Sequence, residues 1–194
     1  MSVVRAFIAI EFGEDLHRHL ANVVEAMRAP LAGSPLRWVP TENIHLTLKF
    51  LGDVSPTNLA LIKEMVSAEA ANCKPFEIGV GGLDAFPNAN RPRVLWVGVE
   101  GPDELFELQG RIEAGAARFG YPPEGKAFAP HLTLGRVNRN AHAEGVRQVA
   151  DVLKKQKVGY LGAERIEAVH IFKSDLQAGG AVYSKLLSAG FAAG

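Results

Sequence analysis

A mixed fold of strands and helices in two related lobes is what this sequence predicts, on three observations. The tetrapeptide His-Leu-Thr-Leu occurs twice, at 45–48 and at 131–134. The stretch from Ala9 to Leu16 matches Gly98 to Leu105 nearly throughout in residue type, which sets Phe7 over Trp96. Each copy then continues through a helical pattern, the tetrapeptide and a second helical pattern. The offset is 89 residues at the strand and 86 at the histidine, too long a period for a solenoid. Residues 1–194 therefore read as one domain of two lobes related by a pseudo-twofold, with both tetrapeptides brought to one cleft.

The elements follow in order. Val3 to Glu11 is rich in Val, Ile and Phe and reads as a core strand. From Glu14 to Ala29 the residues Leu16, Leu20, Val23, Val24 and Met27 keep helical spacing, and Pro30 stops it. Leu36 to Val39 and Ile44 to Leu51 are short strands, the second carrying the first tetrapeptide. Ser55-Pro56 is a helix N-cap with proline at the first helical position, and Leu59, Ile62, Met65 and Val66 form the buried stripe. Phe76 to Leu83 is a strand broken by glycines. Gly79, Gly81 and Gly82 are bulges or turns, because the turn-rich Asp84 to Arg93 follows where a phosphate loop needs a helix.

Val94 to Glu100 is again a core strand. Pro102 opens a helix carrying Leu105, Leu108, Ile112 and Phe119, and a loop around Tyr121-Pro122-Pro123 leads to the second tetrapeptide. A helix from Ala141 to Lys155 buries Val146, Val149 and Leu153. Arg165 to Lys173 and Ala181 to Leu187 are strands around a turn at Gly179-Gly180, and 188–194 is a tail.

Composition narrows the function. Basic and acidic residues balance at 21 each, so there is no general affinity for nucleic acid or anionic membrane. Any nucleic-acid contact must be local. The single Cys73 permits no internal disulfide and fits a reducing cytosol. The N-terminus is apolar only as far as Glu11, too short for a membrane span. The expectation is a soluble, cytoplasmic monomer with no obligate protein partner and no membrane contact.

The chemistry lies in the repeated tetrapeptide. Four threonines and six histidines among 194 residues would place a threonine two after a histidine roughly 0.1 times by chance. In a strand, residues two apart share a face, so each histidine projects beside its threonine while the leucines point into a core. Two opposed imidazoles supply a general base and a general acid near neutral pH. The threonine hydroxyls donate to non-bridging phosphate oxygens. That set suits in-line displacement at phosphorus, with Arg136 adding charge against the phosphate. His-x-Thr is not a metal-ligand pair, and the expectation is no metal and no cofactor. His17, His19 and His142 read as solvated and His170 as structural. Trp38 and Trp96 are core or cleft-wall aromatics, and Phe7 either stacks on a base or packs in the core.

At these residues the chain resembles the two-histidine phosphoesterase superfamily, and within it the bacterial and archaeal RNA 2′,3′-cyclic phosphodiesterases, also described as 2′-5′ RNA ligases. The similarity runs over Arg5 to Ile10, Trp38 to Pro40, Asn43 to Gly52, Arg93 to Gly98, Pro130 to Arg136 and Ser174 to Leu176. The resemblance implies a bilobal α+β fold, each lobe an antiparallel sheet with helices outside and the motifs facing a central groove. It implies metal-independent hydrolysis of a terminal RNA 2′,3′-cyclic phosphate, or of a small cyclic nucleotide, to a 2′-phosphomonoester. By the same resemblance His45 is the proton donor to the leaving 3′-oxygen and His131 the acceptor that activates water. Thr47, Thr133 and Arg136 then hold the phosphate. Rival readings are a 2′-5′ ligase at the same site, a nucleotide-binding module without turnover, and an esterase for another cyclic or 2′-5′ phosphodiester.

Overall fold

The computed structural model describes residues 3–177 and 180–192. The described chain runs β1 (Val4–Ile10), α1 (Glu14–Arg28), β2 (Leu36–Trp38), a 3-10 turn (Thr41–Asn43), β3 (Leu46–Val54), α2 (Pro56–Ala71), β4 (Phe76–Phe86), β5 (Val94–Glu100), α3 (Asp103–Ala117), β6 (His131–Val137), α4 (Ala143–Lys155), β7 (Tyr160–Ile166), β8 (Ala168–Gln177) and β9 (Gly180–Gly190). None of the helices is long and apolar enough to cross a membrane.

The fold is α+β, and every strand pairing is antiparallel. Strand order is β7-β4-β5-β6-β3-β1-β8-β9, with β2 added beside β6. That order is a palindrome about the β6–β3 junction: β5 answers β1, β4 answers β8 and β7 answers β9. The expected two sheets are thus two halves of one, joined where Leu46 pairs with Leu132. On β1, Ile8 and Ile10 point to the helices and join the main core with Leu16, Leu20, Leu105 and Leu108. Phe7 and Ala9 point to the opposite face, where they cluster with Phe172 and Tyr183.

Both tetrapeptide strands carry a bulge at the same place. Ala9 pairs with Thr47 but Ile8 with Lys49, so Leu48 is skipped. Trp96 pairs with Thr133 but Leu95 with Gly135, so Leu134 is skipped. An extra residue reverses the faces of everything after it. Phe50 and Arg136 are thereby turned to the face of Thr47 and Thr133, and Lys49 to the helix side. There Lys49 is buried, and its Nζ donates to Glu113 Oε2 at 2.7 Å and to the Pro122 carbonyl at 2.6 Å.

The register also corrects the sequence match. Ala9 and Trp96 both face the motif threonine, so the strands correspond at 87 residues and not 89, and Val94 stands where Phe7 does. The helices α1 and α3 do start 89 residues apart. The acidic first turns of these helices dominate the match, and the strand-to-helix connections differ by two residues.

Other boundaries differ from expectation for local reasons. Ser55 is the N-cap expected, its Oγ accepting from the Asn58 N–H at 3.2 Å. Residues 84–86 continue β4 past the bulge at Gly82, whose φ is +73°. Arg165 to Lys173 is two strands, broken at Glu167. β7 escapes the hydrophobic pattern because it is an edge strand, paired among the described residues only with β4, and Ile166 is its one buried residue. Phe119 lies beyond α3, and Ser188 to Gly190 belong to β9 and not to a tail. The expected turn at Gly179-Gly180 and the end of the tail fall partly outside the described residues.

Removing one partner of a buried ion pair strands the other charge. Lys49→Met is therefore expected to lower unfolding free energy by about 3 kcal/mol, read by urea denaturation. Adding Glu113→Gln should restore part of the loss, which independent sites would not do.

Candidate active site

The bridge between Leu46 and Leu132 is the centre of the site. Both leucines are buried in the helix-side core, at 1% and 0% exposure. The residues on either side of each leucine therefore face the other way. Because the strands are antiparallel, that register sets His45 toward Thr133 and Thr47 toward His131. Beyond this pair β3 and β6 separate, and β2 occupies the edge of β6 from Gly135 to Val137.

The two imidazoles are held alike. Nδ1 of His45 donates to the Asn43 carbonyl at 2.8 Å, and Nδ1 of His131 to the Ala129 carbonyl at 2.7 Å. A carbonyl only accepts, so the proton sits on Nδ1 in each neutral ring and Nε2 is left for chemistry. Aromatic rings pack around both. Phe7 stacks on His45 at 4.6 Å, and Tyr183 meets it edge-on at 5.4 Å. Phe86 meets His131 edge-on at 4.9 Å, with Trp96 at 6.1 Å. Burial in these surroundings lowers both histidine pKa values, that of His45 to about 4, with the Arg136 guanidinium adding to the effect.

A cavity of about 770 Å³ takes in both histidines, Thr47, Thr133 and Arg136. Phe50, Tyr183, Phe86 and Lys126 line it as well. One wall is the stretch between Pro123 and Ala129. Lys49 holds the start of this wall through Pro122, and Asn58 Nδ2 donates to the Tyr121 hydroxyl at 3.2 Å. Tyr183 is also buried enough to raise its hydroxyl pKa.

Five of the six residues singled out from the sequence meet in this cavity. Phe7 does not. At 3% exposure it has no face for a base; its ring is the backing of His45. The exposed aromatic in the cavity lining is Phe50, at 55%, which the sequence reading passes over. A signal for it exists: Phe50 stands five residues after His45, as Arg136 stands five after His131. Nothing local marks Tyr183, which comes from β9. His17 is half-buried and not solvated, its Nε2 lying 3.2 Å from the Ile44 carbonyl next to His45. His170 is buried, with Nε2 3.7 Å from Glu11 Oε2.

A sequence profile described as the 2′-5′ RNA ligase superfamily matches residues 16–177. The chain belongs to that superfamily. Its relatives there include the RNA 2′,3′-cyclic phosphodiesterase of Methanothermobacter thermautotrophicus, 32% identical over 94% of this chain and 96% of that protein. The protein of the same name from Archaeoglobus fulgidus is 31% identical over 94% of this chain and 98% of its own length. Among solved structures, TT0787 of Thermus thermophilus shares the fold with a TM-score of 0.80 at 24% identity, covering 96% of this chain and 97% of that one.

For this superfamily member the burial of histidine has a measurable cost at acid pH. His45, His131 and His170 all have lowered pKa values, caused first by burial. As pH falls below 6.5 the unfolded chain takes up protons before the folded one does, so stability is full above that pH and drops toward pH 4. His45 alone is expected to remove about 3 kcal/mol over that window. Unfolding of wild type and His45→Asn by urea at several pH values should show a shallower decline in the variant.

Proposed function

We propose that the groove hydrolyses a 2′,3′-cyclic phosphate at an RNA 3′ end to a 2′-phosphomonoester by paired acid–base catalysis. One observation carries this: two imidazoles with fixed tautomers, one from each half of the sheet, line a single cavity together with two threonines and an arginine. The activity named for the archaeal relatives is of this kind. Thr47 and Thr133 donate to the non-bridging oxygens, and Arg136 offsets their charge.

The asymmetry of the two halves supports an order for the proton transfers. Phe50, on the strand that follows His45, offers a stacking face for a base; Arg136, on the strand of His131, offers a cation for phosphate. A nucleotide laid between them has its ribose on the His45 side. Water then attacks phosphorus from the side of His131, whose Nε2 takes the water proton. The bond from phosphorus to O3′ breaks, and His45, protonated at Nε2 once the anionic phosphate is seated beside it, gives that proton to the oxygen. Proton transfer by imidazole needs no metal in this scheme. We read residues 1–194 as one working unit acting on RNA ends, since the residues lining the cavity are drawn from both halves of the sheet. The single Cys73 suits a reducing compartment such as the cytoplasm.

The test is incubation in chelator with an RNA ending in 2′,3′-cyclic phosphate, alongside a 5′-hydroxyl strand. Conversion to a 2′-phosphate end is expected, and binding without conversion, or joined strands as the main product, would contradict the proposal. His45→Ala and His131→Ala should each lower kcat by at least about 10³-fold with the fold retained, within the range for a lost acid or base. Phe50→Ala should cost roughly tenfold in kcat/KM through lost stacking. Because both imidazoles are neutral in the empty groove, the bell-shaped profile of kcat/KM should peak below pH 6.5.

A further inference from the structure

Among the described residues the strand β2 has no counterpart in the other half of the sheet, and its central residue stands beside the phosphate arginine. Arg37 pairs directly with Arg136 across β2 and β6. Residues directly opposite in an antiparallel pair share a face, so both guanidinium groups belong to the groove side. Like charges in that arrangement destabilise a sheet. Both residues are exposed, and among the described residues neither makes an ion pair.

The neighbouring arginine is different. Arg93 Nη1 donates to the carbonyls of Asn138 and Arg139, at 3.1 and 3.4 Å, and so is occupied in holding a loop. Among the described residues Arg37 makes no such contact. Leu36 and Trp38, on either side of it, are packed into the apolar cluster beneath α4, which fixes the strand and presents Arg37. Its head group crosses toward the start of β9: Nη2 lies 3.3 Å from the place a Cβ on Gly180 would take. Tyr183, three residues further along β9, lines the cavity. Arg37 therefore stands beside the cavity-lining Arg136, directly across the β2–β6 pair, on the edge of β6 that β3 leaves.

We propose that Arg37 is a second phosphate contact. It takes the phosphate linking the terminal nucleotide to the one before it, while Arg136 takes the cyclic phosphate, so the site favours an RNA chain end over a cyclic mononucleotide. A second anion explains why two unpaired cations are kept side by side, since each gains a charge-assisted partner on binding. The proposal rests on the phosphodiesterase reading given above.

The experiment compares wild type, Arg37→Gln and Arg37→Lys on two substrates: an RNA oligonucleotide ending in 2′,3′-cyclic phosphate, and 2′,3′-cyclic AMP. Arg37→Gln should lower the ratio of kcat/KM on oligonucleotide to that on mononucleotide by about tenfold, the worth of one charged hydrogen bond. Arg37→Lys, which keeps the charge, should recover most of it. The slope of log kcat/KM against log salt on the oligonucleotide should become shallower by about 0.7 in Arg37→Gln. An unchanged ratio would overturn the proposal, whether both activities fall together or neither falls. If wild type hydrolyses neither substrate, the phosphodiesterase reading fails first and this proposal with it.

Discussion

The site depends on a single backbone constraint, the pairing of Leu46 with Leu132 where the two halves of the sheet meet. Two buried leucines at that point fix which face every neighbouring residue takes. Had the strands met one residue out of register, the histidines and threonines would turn toward the helices and the leucines into the groove. The core is thus what orients the polar residues: apolar burial on one face sets the chemistry on the other. The paired bulges at Leu48 and Leu134 extend this by one step, carrying Phe50 and Arg136 onto the groove face.

The two halves of the sheet supply two nearly equivalent imidazoles, and the single displacement proposed at phosphorus needs them to do opposite things. Their own geometry does not distinguish them, because each donates Nδ1–H to a carbonyl two residues earlier. The difference lies five residues further along each strand, an aromatic ring in one half and a guanidinium in the other. Burial keeps both rings neutral in the empty groove; in the proposed scheme that suits the base and leaves the acid to gain its proton when an anion is seated beside it.

Much of this is legible in the chain itself. The two tetrapeptides name His45, Thr47, His131 and Thr133, and the period-2 rule gives their common face. The rest is hidden for identifiable reasons. Alternation continued past Leu48 would put Lys49 in the groove and Phe50 in the core, since a bulge leaves no mark in the residue pattern. Phe7 misleads because a ring beside a groove and a ring behind an imidazole look the same in sequence. Tyr183 and the wall from Pro123 to Ala129 reach the cavity by tertiary packing alone. β7, an edge strand with one buried residue, has no apolar rhythm to find.

In the proposed scheme the two histidines act from opposite sides of one phosphorus in a single displacement. It is tested most directly by hydrolysing a 2′,3′-cyclic phosphorothioate of known configuration in ¹⁸O-water and determining the configuration of the product. Attack by water opposite the leaving oxygen gives inversion at phosphorus, and inversion is the expected outcome. Retention would mean two successive displacements through a covalent phosphoryl-enzyme, and would contradict the paired acid–base scheme.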